Sequence, residues 1–185
     1  KGPVSPNTKY IYGIGLLIGF LIPFIILYII FLFDNKVQSR EDLELANLDV
    51  TGEIPFFDLP DNEKVFSNPD DRSIISESFR MLMSNLRYLQ KNDSESNVIV
   101  VTSSIKGEGK TLNALNLALS FTSVGEKVLL IGCDLRNPQL HKYINCDKNV
   151  AGIVDFLVDN KTEWKKNIIN PFDNQSLDIL LSGPL

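Results

Sequence analysis

Between Lys9 and Asp34 the chain carries 24 consecutive residues without a charge, YIYGIGLLIGFLIPFIILYIIFLF. No other stretch restricts the fold as tightly. A segment this apolar has to satisfy its backbone within itself, as a helix. At about 1.5 Å per residue that helix is about 36 Å long, and the hydrocarbon core of a bilayer is about 30 Å thick. Core helices of soluble domains rarely run so long without a polar residue. The apolar part of a signal peptide is shorter and ends in small residues, whereas this one ends in Phe31-Leu32-Phe33. Residues 10–33 therefore read as one transmembrane helix. Pro23 is expected to kink it, and Gly13, Gly15 and Gly19 would allow close helix approach. Tyr10, Tyr12 and Tyr28 stand toward its ends, as interfacial aromatics do. Basic residues flank both ends equally (Lys1 and Lys9, then Lys36 and Arg40), so charge bias does not orient it.

The remainder is acidic. Net charge is −5 overall, and residues 34–185 hold 16 basic against 23 acidic side chains. Duplex binding needs a basic face that displaces counterions, so nucleic acid is excluded as a main partner. Two cysteines, Cys133 and Cys146, make neither a disulfide framework nor a spaced metal site and fit a reducing compartment. The chain begins at Lys1 rather than Met and stops at Leu185, which is expected of a longer protein truncated at its C-terminus.

Residues 34–72 form an acidic linker with eleven acids against four bases. Within it Ser39-Arg-Glu-Asp-Leu-Glu-Leu reads as a short capped helix, and Pro55, Pro60 and Pro69 break up the rest of the linker. Over residues 73–91, Ile75, Phe79, Leu82, Leu86 and Leu89 step by three and four, one apolar stripe of a helix. Glu77, Arg80, Ser84 and Arg87 share its polar face. Beyond that the pattern alternates: strand 97–103, helix 110–123, strand 127–133, helix 151–159, strand 177–182. Such alternation predicts an α/β fold, a parallel sheet with helices on both faces.

The turn between the first strand and helix reads Ser104-Ile105-Lys106-Gly107-Glu108-Gly109-Lys110-Thr111. It matches a phosphate-binding loop except that Ser104 replaces the usual first glycine. Glycines let backbone N–H groups turn inward around a β-phosphate, and the helix after them adds the positive end of its dipole. Lys110 reaches the β and γ oxygens, the Thr111 hydroxyl ligates Mg²⁺, and the cradle runs from Ser104 through Leu112. Asp134, closing the strand VLLIGCD, is placed to hold the Mg²⁺ shell, although an aspartate there is also a common turn residue. Arg136 suits a phosphate contact or an ordinary ion pair. ATP or GTP is cytoplasmic, so the chain after the apolar helix is expected inside the cell, with residues 1–9 on the periplasmic side.

Together these residues resemble the bacterial tyrosine kinases, P-loop autokinases joined to exopolysaccharide chain-length regulators. Gly107-Glu108-Gly109-Lys110 is similar to that family's Walker A motif, and Ile131-Gly132-Cys133-Asp134-Leu135-Arg136 to its Walker A′ motif. Glu77-Ser-Phe-Arg80 resembles the start of its ring-forming helix, and Pro3-Val-Ser-Pro6 the proline-rich stretch before its second membrane helix. The resemblance implies a kinase domain over 73–185, with Lys110, Asp134 and Arg136 catalytic and Ser104, Lys106, Gly107, Glu108, Gly109, Lys110, Thr111 and Leu112 on the nucleotide. Thr111 and Asp134 would hold Mg²⁺, and Glu77, Arg80 and Arg87 would serve oligomerisation. It also implies ATP, a ring of copies phosphorylating one another on tyrosine, a bacterial inner-membrane location, and partners in polysaccharide export with a tyrosine phosphatase. Three departures stand out. Gly132 replaces the first Walker A′ aspartate, Met83 replaces the last arginine of the ring helix, and neither a Walker B aspartate nor an acceptor tyrosine cluster lies before Leu185. Two alternatives stay open: a nucleotide-gated scaffold with weak or no kinase activity, which Gly132 favours, and a partitioning-type ATPase. Ile105, where the latter group carries a signature lysine, speaks against it.

Overall fold

The computed structural model describes residues 8–34, 36–37, 39–58, 64–66, 68, 70–89, 97–159, 163–172 and 176–184. Pro3, Pro6, Pro60 and Pro69, read above from sequence, lie outside them. The chain divides into two compact units, Lys1–Val50 and Thr51–Leu185.

The first unit holds helix α1, Thr8–Leu32, which continues through Pro23. Its stretch Lys9–Leu32 is long and apolar enough to cross a membrane. Helix α2, Arg40–Leu45, starts where the capping pattern places it: Asp42 Oδ2 accepts from the Ser39 backbone N–H at 3.0 Å. Arg40 and Glu44 pair along its surface.

The second unit contains helices α3 (Ile74–Leu89), α4 (Lys110–Ser123), α5 (Leu140–Tyr143) and α6 (Ile153–Val158). Its strands are β1 (Val128–Ile131), β2 (Ile168–Ile169) and β3 (Leu177–Leu180), in the order β1-β3-β2. Strands β1 and β3 are parallel, with Val128 opposite Leu177 and Ile131 opposite Leu180. A parallel pair needs a long crossover, and α5, α6 and a 3-10 turn at Trp164–Asn167 occupy it. The antiparallel β2, the 3-10 turn and α5 carry too few residues for sequence periodicity to show.

The core lies where α4 meets β3. Leu115, Ala118 and Leu119 of α4 pack with Leu177, Ile179 and Leu181, and with Leu140 and Ile144 from the crossover. Leu115, Leu177 and Ile179 are fully buried, each contributing about 2 kcal/mol through removal from water. Helix α3 packs on α4, and its buried residues are Ser76, Phe79 and Met83. The expected stripe is therefore shifted: Met83 is buried and Leu89 is exposed. The reason is that α3 has a second neighbour, the segment that begins at Thr51, with Gly52 against Leu82.

One expected element differs. Residues 97–103 are not in the sheet and carry no ladder hydrogen bonds among the described residues. Val98 and Val100 are 91% and 82% exposed. A β-branched run supplies strand propensity, but a strand also needs a neighbour to bond to. Here the segment and β1 face a common cavity of about 860 Å³ instead.

Candidate nucleotide-binding site

Of the residues singled out from sequence, Lys110, Thr111 and Asp134 line that cavity, whereas Ser104, Lys106, Gly107, Glu108, Gly109, Leu112 and Arg136 do not. The cavity is lined by residues 97–102, by Lys110, Thr111 and Ala114 of α4, and by residues 129–134. The loop leading into α4 turns through two left-handed glycines, Gly107 at φ +97° and Gly109 at φ +86°. Only glycine adopts this conformation without steric cost. Gly109 is the N-cap of α4, and its carbonyl accepts the first helical bond from Asn113 N–H at 2.9 Å. The N-terminal amides of a helix have no partner within the helix, so this end is built to receive an anion.

Side chains brace the loop from within. Ser103 Oγ donates to the Ile105 carbonyl at 3.0 Å, and Ile105 N–H donates to Glu108 Oε2 at 3.2 Å. Glu108 thus shapes the loop with its carboxylate. Ser104, Lys106, Gly107 and Glu108 are exposed, while Gly109, Lys110, Thr111 and Leu112 are half-buried.

Lys110 Nζ lies 3.4 Å from Asp134 Oδ2. The other carboxylate oxygen of Asp134 accepts from Asn137 N–H at 3.1 Å, which fixes the turn after β1. The turn role of this aspartate is thus seen on one oxygen, while the other faces Lys110. Two residues on, Arg136 is exposed and forms no ion pair among the described residues. Thr111 and Asp134 offer hard oxygen donors on one cavity, which suits Mg²⁺; that ion is typically held by one or two protein groups plus substrate phosphates. No cluster of three or more metal-ligating side chains exists among the described residues.

Gly132 lines the same cavity, and its N–H extends the sheet by bonding to the Leu180 carbonyl at 2.9 Å. A Cβ there would meet Leu140 and Ser182 at 3.5 Å, ordinary contact, so nothing steric requires glycine. Cys133 is exposed beyond the end of β1 and lines the cavity with it, rather than lying within the strand.

His141, which by its place after Asp134 in the sequence could approach a nucleotide or lie at the surface, also lines this cavity. Burial, then Lys142 and Lys148, lower its pKa from the ordinary histidine value, against an opposing pull from Asp147. Sequence shows no signal for it beyond its place after Asp134. The residues read as oligomerisation contacts are occupied within the chain. Arg80 pairs with Glu77 and donates to the Asp71 carbonyl at 2.6 Å, while Arg87 lies 3.3 Å from Glu126.

No family model matches the chain. It is similar to the tyrosine-protein kinase YwqD of Bacillus subtilis (strain 168), with 32% identity over 121 residues, covering 65% of this chain and 49% of YwqD. It is also similar to the tyrosine-protein kinase wzc of Salmonella typhi, with 25% identity over 173 residues, covering 84% of this chain and 24% of wzc. The kinase domain of the Escherichia coli tyrosine kinase ETK matches with a TM-score of 0.67 and 26% identity, over 80% of this chain and 60% of that domain. The chain thus spans about half the length, or less, of these curated relatives.

Proposed function

We propose that this chain, a relative of the bacterial tyrosine-protein kinases with the fold of their P-loop kinase domain, is part of a membrane-anchored protein-tyrosine autokinase. It uses ATP and Mg²⁺ and controls polymerisation and export of a capsular or exopolysaccharide. Helix α1 anchors it in the bacterial inner membrane, and the α/β unit faces the cytoplasm, where ATP is available. Copies would assemble into a ring through the polar face of α3, with Glu77, Arg80 and Arg87 exchanging their partners within the chain for groups of a neighbour, and phosphorylate tyrosines on those neighbours. Polysaccharide export machinery and a tyrosine phosphatase are the partners that this role implies.

The observation that carries the reading is the pair Lys110–Asp134, 3.4 Å apart on the wall of one cavity, where a loop with two left-handed glycines leads into α4. Phosphoryl transfer asks a protein mainly for positioning and charge stabilisation. The loop amides and Lys110 hold the phosphates, and Thr111 with Asp134 holds Mg²⁺, which would screen the charge of the transferring group. Lys110 then exchanges one carboxylate oxygen for phosphate oxygens, so its cation is held in place before nucleotide arrives. Lys106 and Arg136, both exposed, would add positive charge for the nucleotide's phosphates.

A second reading has one observation behind it. Gly132 leaves no carboxylate where the resemblance expects the group that deprotonates tyrosine. On that reading the domain binds nucleotide as an assembly switch and transfers little phosphate. One comparison separates the two. The full-length protein is incubated in membranes with ATP and Mg²⁺, and wild type, Lys110→Met and Gly132→Asp are blotted for phosphotyrosine. Signal in wild type and its loss of a hundredfold or more in Lys110→Met support the kinase. Ring assembly with ATP but without phosphotyrosine sinks it in favour of the scaffold. A stronger signal from Gly132→Asp would show that the missing base limits the rate.

A further inference from the structure

Asn116 is 1% exposed, the most buried polar side chain among the described residues. It lies in α4 five residues after Thr111, about 7.5 Å further along the axis. Its amide serves neither the helix nor the sheet. Nδ2 donates to the Lys64 carbonyl at 2.9 Å, and Oδ1 accepts from Phe66 N–H at 2.9 Å. Both partners are backbone groups some fifty residues earlier, so the contact reads where the chain runs, whatever side chains it bears. Phe66 adds its ring, 5.9 Å from Phe57 and 6.1 Å from Phe79 of α3. Nearer α1 in sequence, Asn85 Nδ2 donates to the Thr51 carbonyl at 2.7 Å. Gly52 lies so close to α3 that a Cβ would come within 2.9 Å of Leu82 Cδ1. Residues 51–58 and 64–66 are thus a strap laid on α3 and clipped to α4.

The clip is all or none in character. Asn116 sits between Leu115 and Leu117, both buried, and a buried amide without partners is costly. A strap that lifts leaves both ends of that amide unpaired at once. The strap is also the chain that arrives from α1, and α4 is the helix whose first residues form the phosphate cradle. We infer that Asn116 is a positioning residue, through which the chain arriving from the membrane-spanning segment sets the helix that carries the phosphate loop. This rests on the nucleotide reading above. Coupling of this kind is reciprocal: a seated strap favours nucleotide, and nucleotide favours the seated strap.

The Phe66 amide reports it directly, because its hydrogen is the one that Asn116 accepts. Hydrogen exchange is measured on the full-length protein in lipid nanodiscs, with and without Mg-ATP, beside ATP affinity and helical circular dichroism. In wild type this amide is protected, and Mg-ATP slows its exchange at least threefold more. Asn116→Leu, of similar size, loses the protection and the ATP-dependent increment, and binds ATP three- to tenfold more weakly. Asn116→Asp keeps the acceptor for Phe66 and retains more coupling than Asn116→Leu; a purely packing role gives the opposite order. Exchange at Phe66 that ignores ATP in wild type, or wild-type ATP affinity in Asn116→Leu, overturns the inference and leaves the nucleotide reading standing. Failure of wild type to bind ATP overturns both. Should Asn116→Leu lose its helical signal, Phe66→Ala is read in its place. It leaves Asn116 intact, and unchanged ATP affinity and exchange there also overturn the inference.

Discussion

Two stretches of this chain hold apolar side chains in the open, for different physical reasons. Along α1 the large hydrophobic side chains from Tyr10 through Phe33 are between 45% and 77% exposed. In the run after Asn97, Val98, Ile99, Val100 and Val101 are 91%, 40%, 82% and 39% exposed. Helix α1 closes its own backbone ladder, so an apolar solvent completes it, and a bilayer is that solvent. Residues 97–103 close no ladder, so whatever covers them has to bring backbone donors and acceptors along with apolar side chains. Hydrophobicity says that a surface will be covered; backbone hydrogen bonding says by what.

The largest expected effect tests the first half of that contrast. An arginine at the middle of a spanning helix costs about 3 kcal/mol, a factor of about a hundred in partition. Leu21→Arg should move the full-length protein out of the carbonate-resistant membrane fraction by about that factor, while circular dichroism of the α/β unit stays unchanged. Retention of Leu21→Arg in the membrane would show that α1 is not what holds it there. A charge in the second stretch should do almost nothing to this chain's stability. Val100 is 82% exposed and bonded to no ladder, so Val100→Lys should shift thermal unfolding by no more than about 0.5 kcal/mol. A loss several times larger would mean that the segment is already paired, and the contrast would fail.

The same distinction separates what was legible in the sequence from what was not. Helix α4 spans the residues that its apolar pattern and its glycine start indicate, because both signals are local. The Ser39 cap and the α1 span are legible for the same reason. The loop residues could be named because the phosphate-binding spacing is itself contiguous, and Asp134 because it closes a strand beside that loop. What stayed hidden depends on distant partners. The run 97–103 has every local mark of a strand, yet pairing is decided elsewhere. Met83 is buried on a helix that has two neighbours, α4 and the strap, and periodicity within α3 reveals neither. Asn116 looks like a neutral polar residue inside a helix until Lys64 and Phe66 are brought to it. His141 could be named from its place after Asp134, but the four-residue helix that carries it to the cavity wall is too short for periodicity to show.

His141 carries the smallest effect and the finest test of the comparison. Its pKa is lowered in the folded protein by burial first, then by Lys142 and Lys148, with Asp147 opposing. Lys110 and Asp134 line the same cavity. Below the ordinary histidine value near 6.5 the unfolded chain therefore binds more protons than the folded one. Stability is fully present above that pH and declines as pH falls through the lowered folded-state pKa. His141→Gln removes this term, so the difference in melting temperature between wild type and His141→Gln should change by a small amount from pH 7.5 to 5.5, in the direction of wild type losing more. An equal pH response in the two would show that the imidazole is freely solvated.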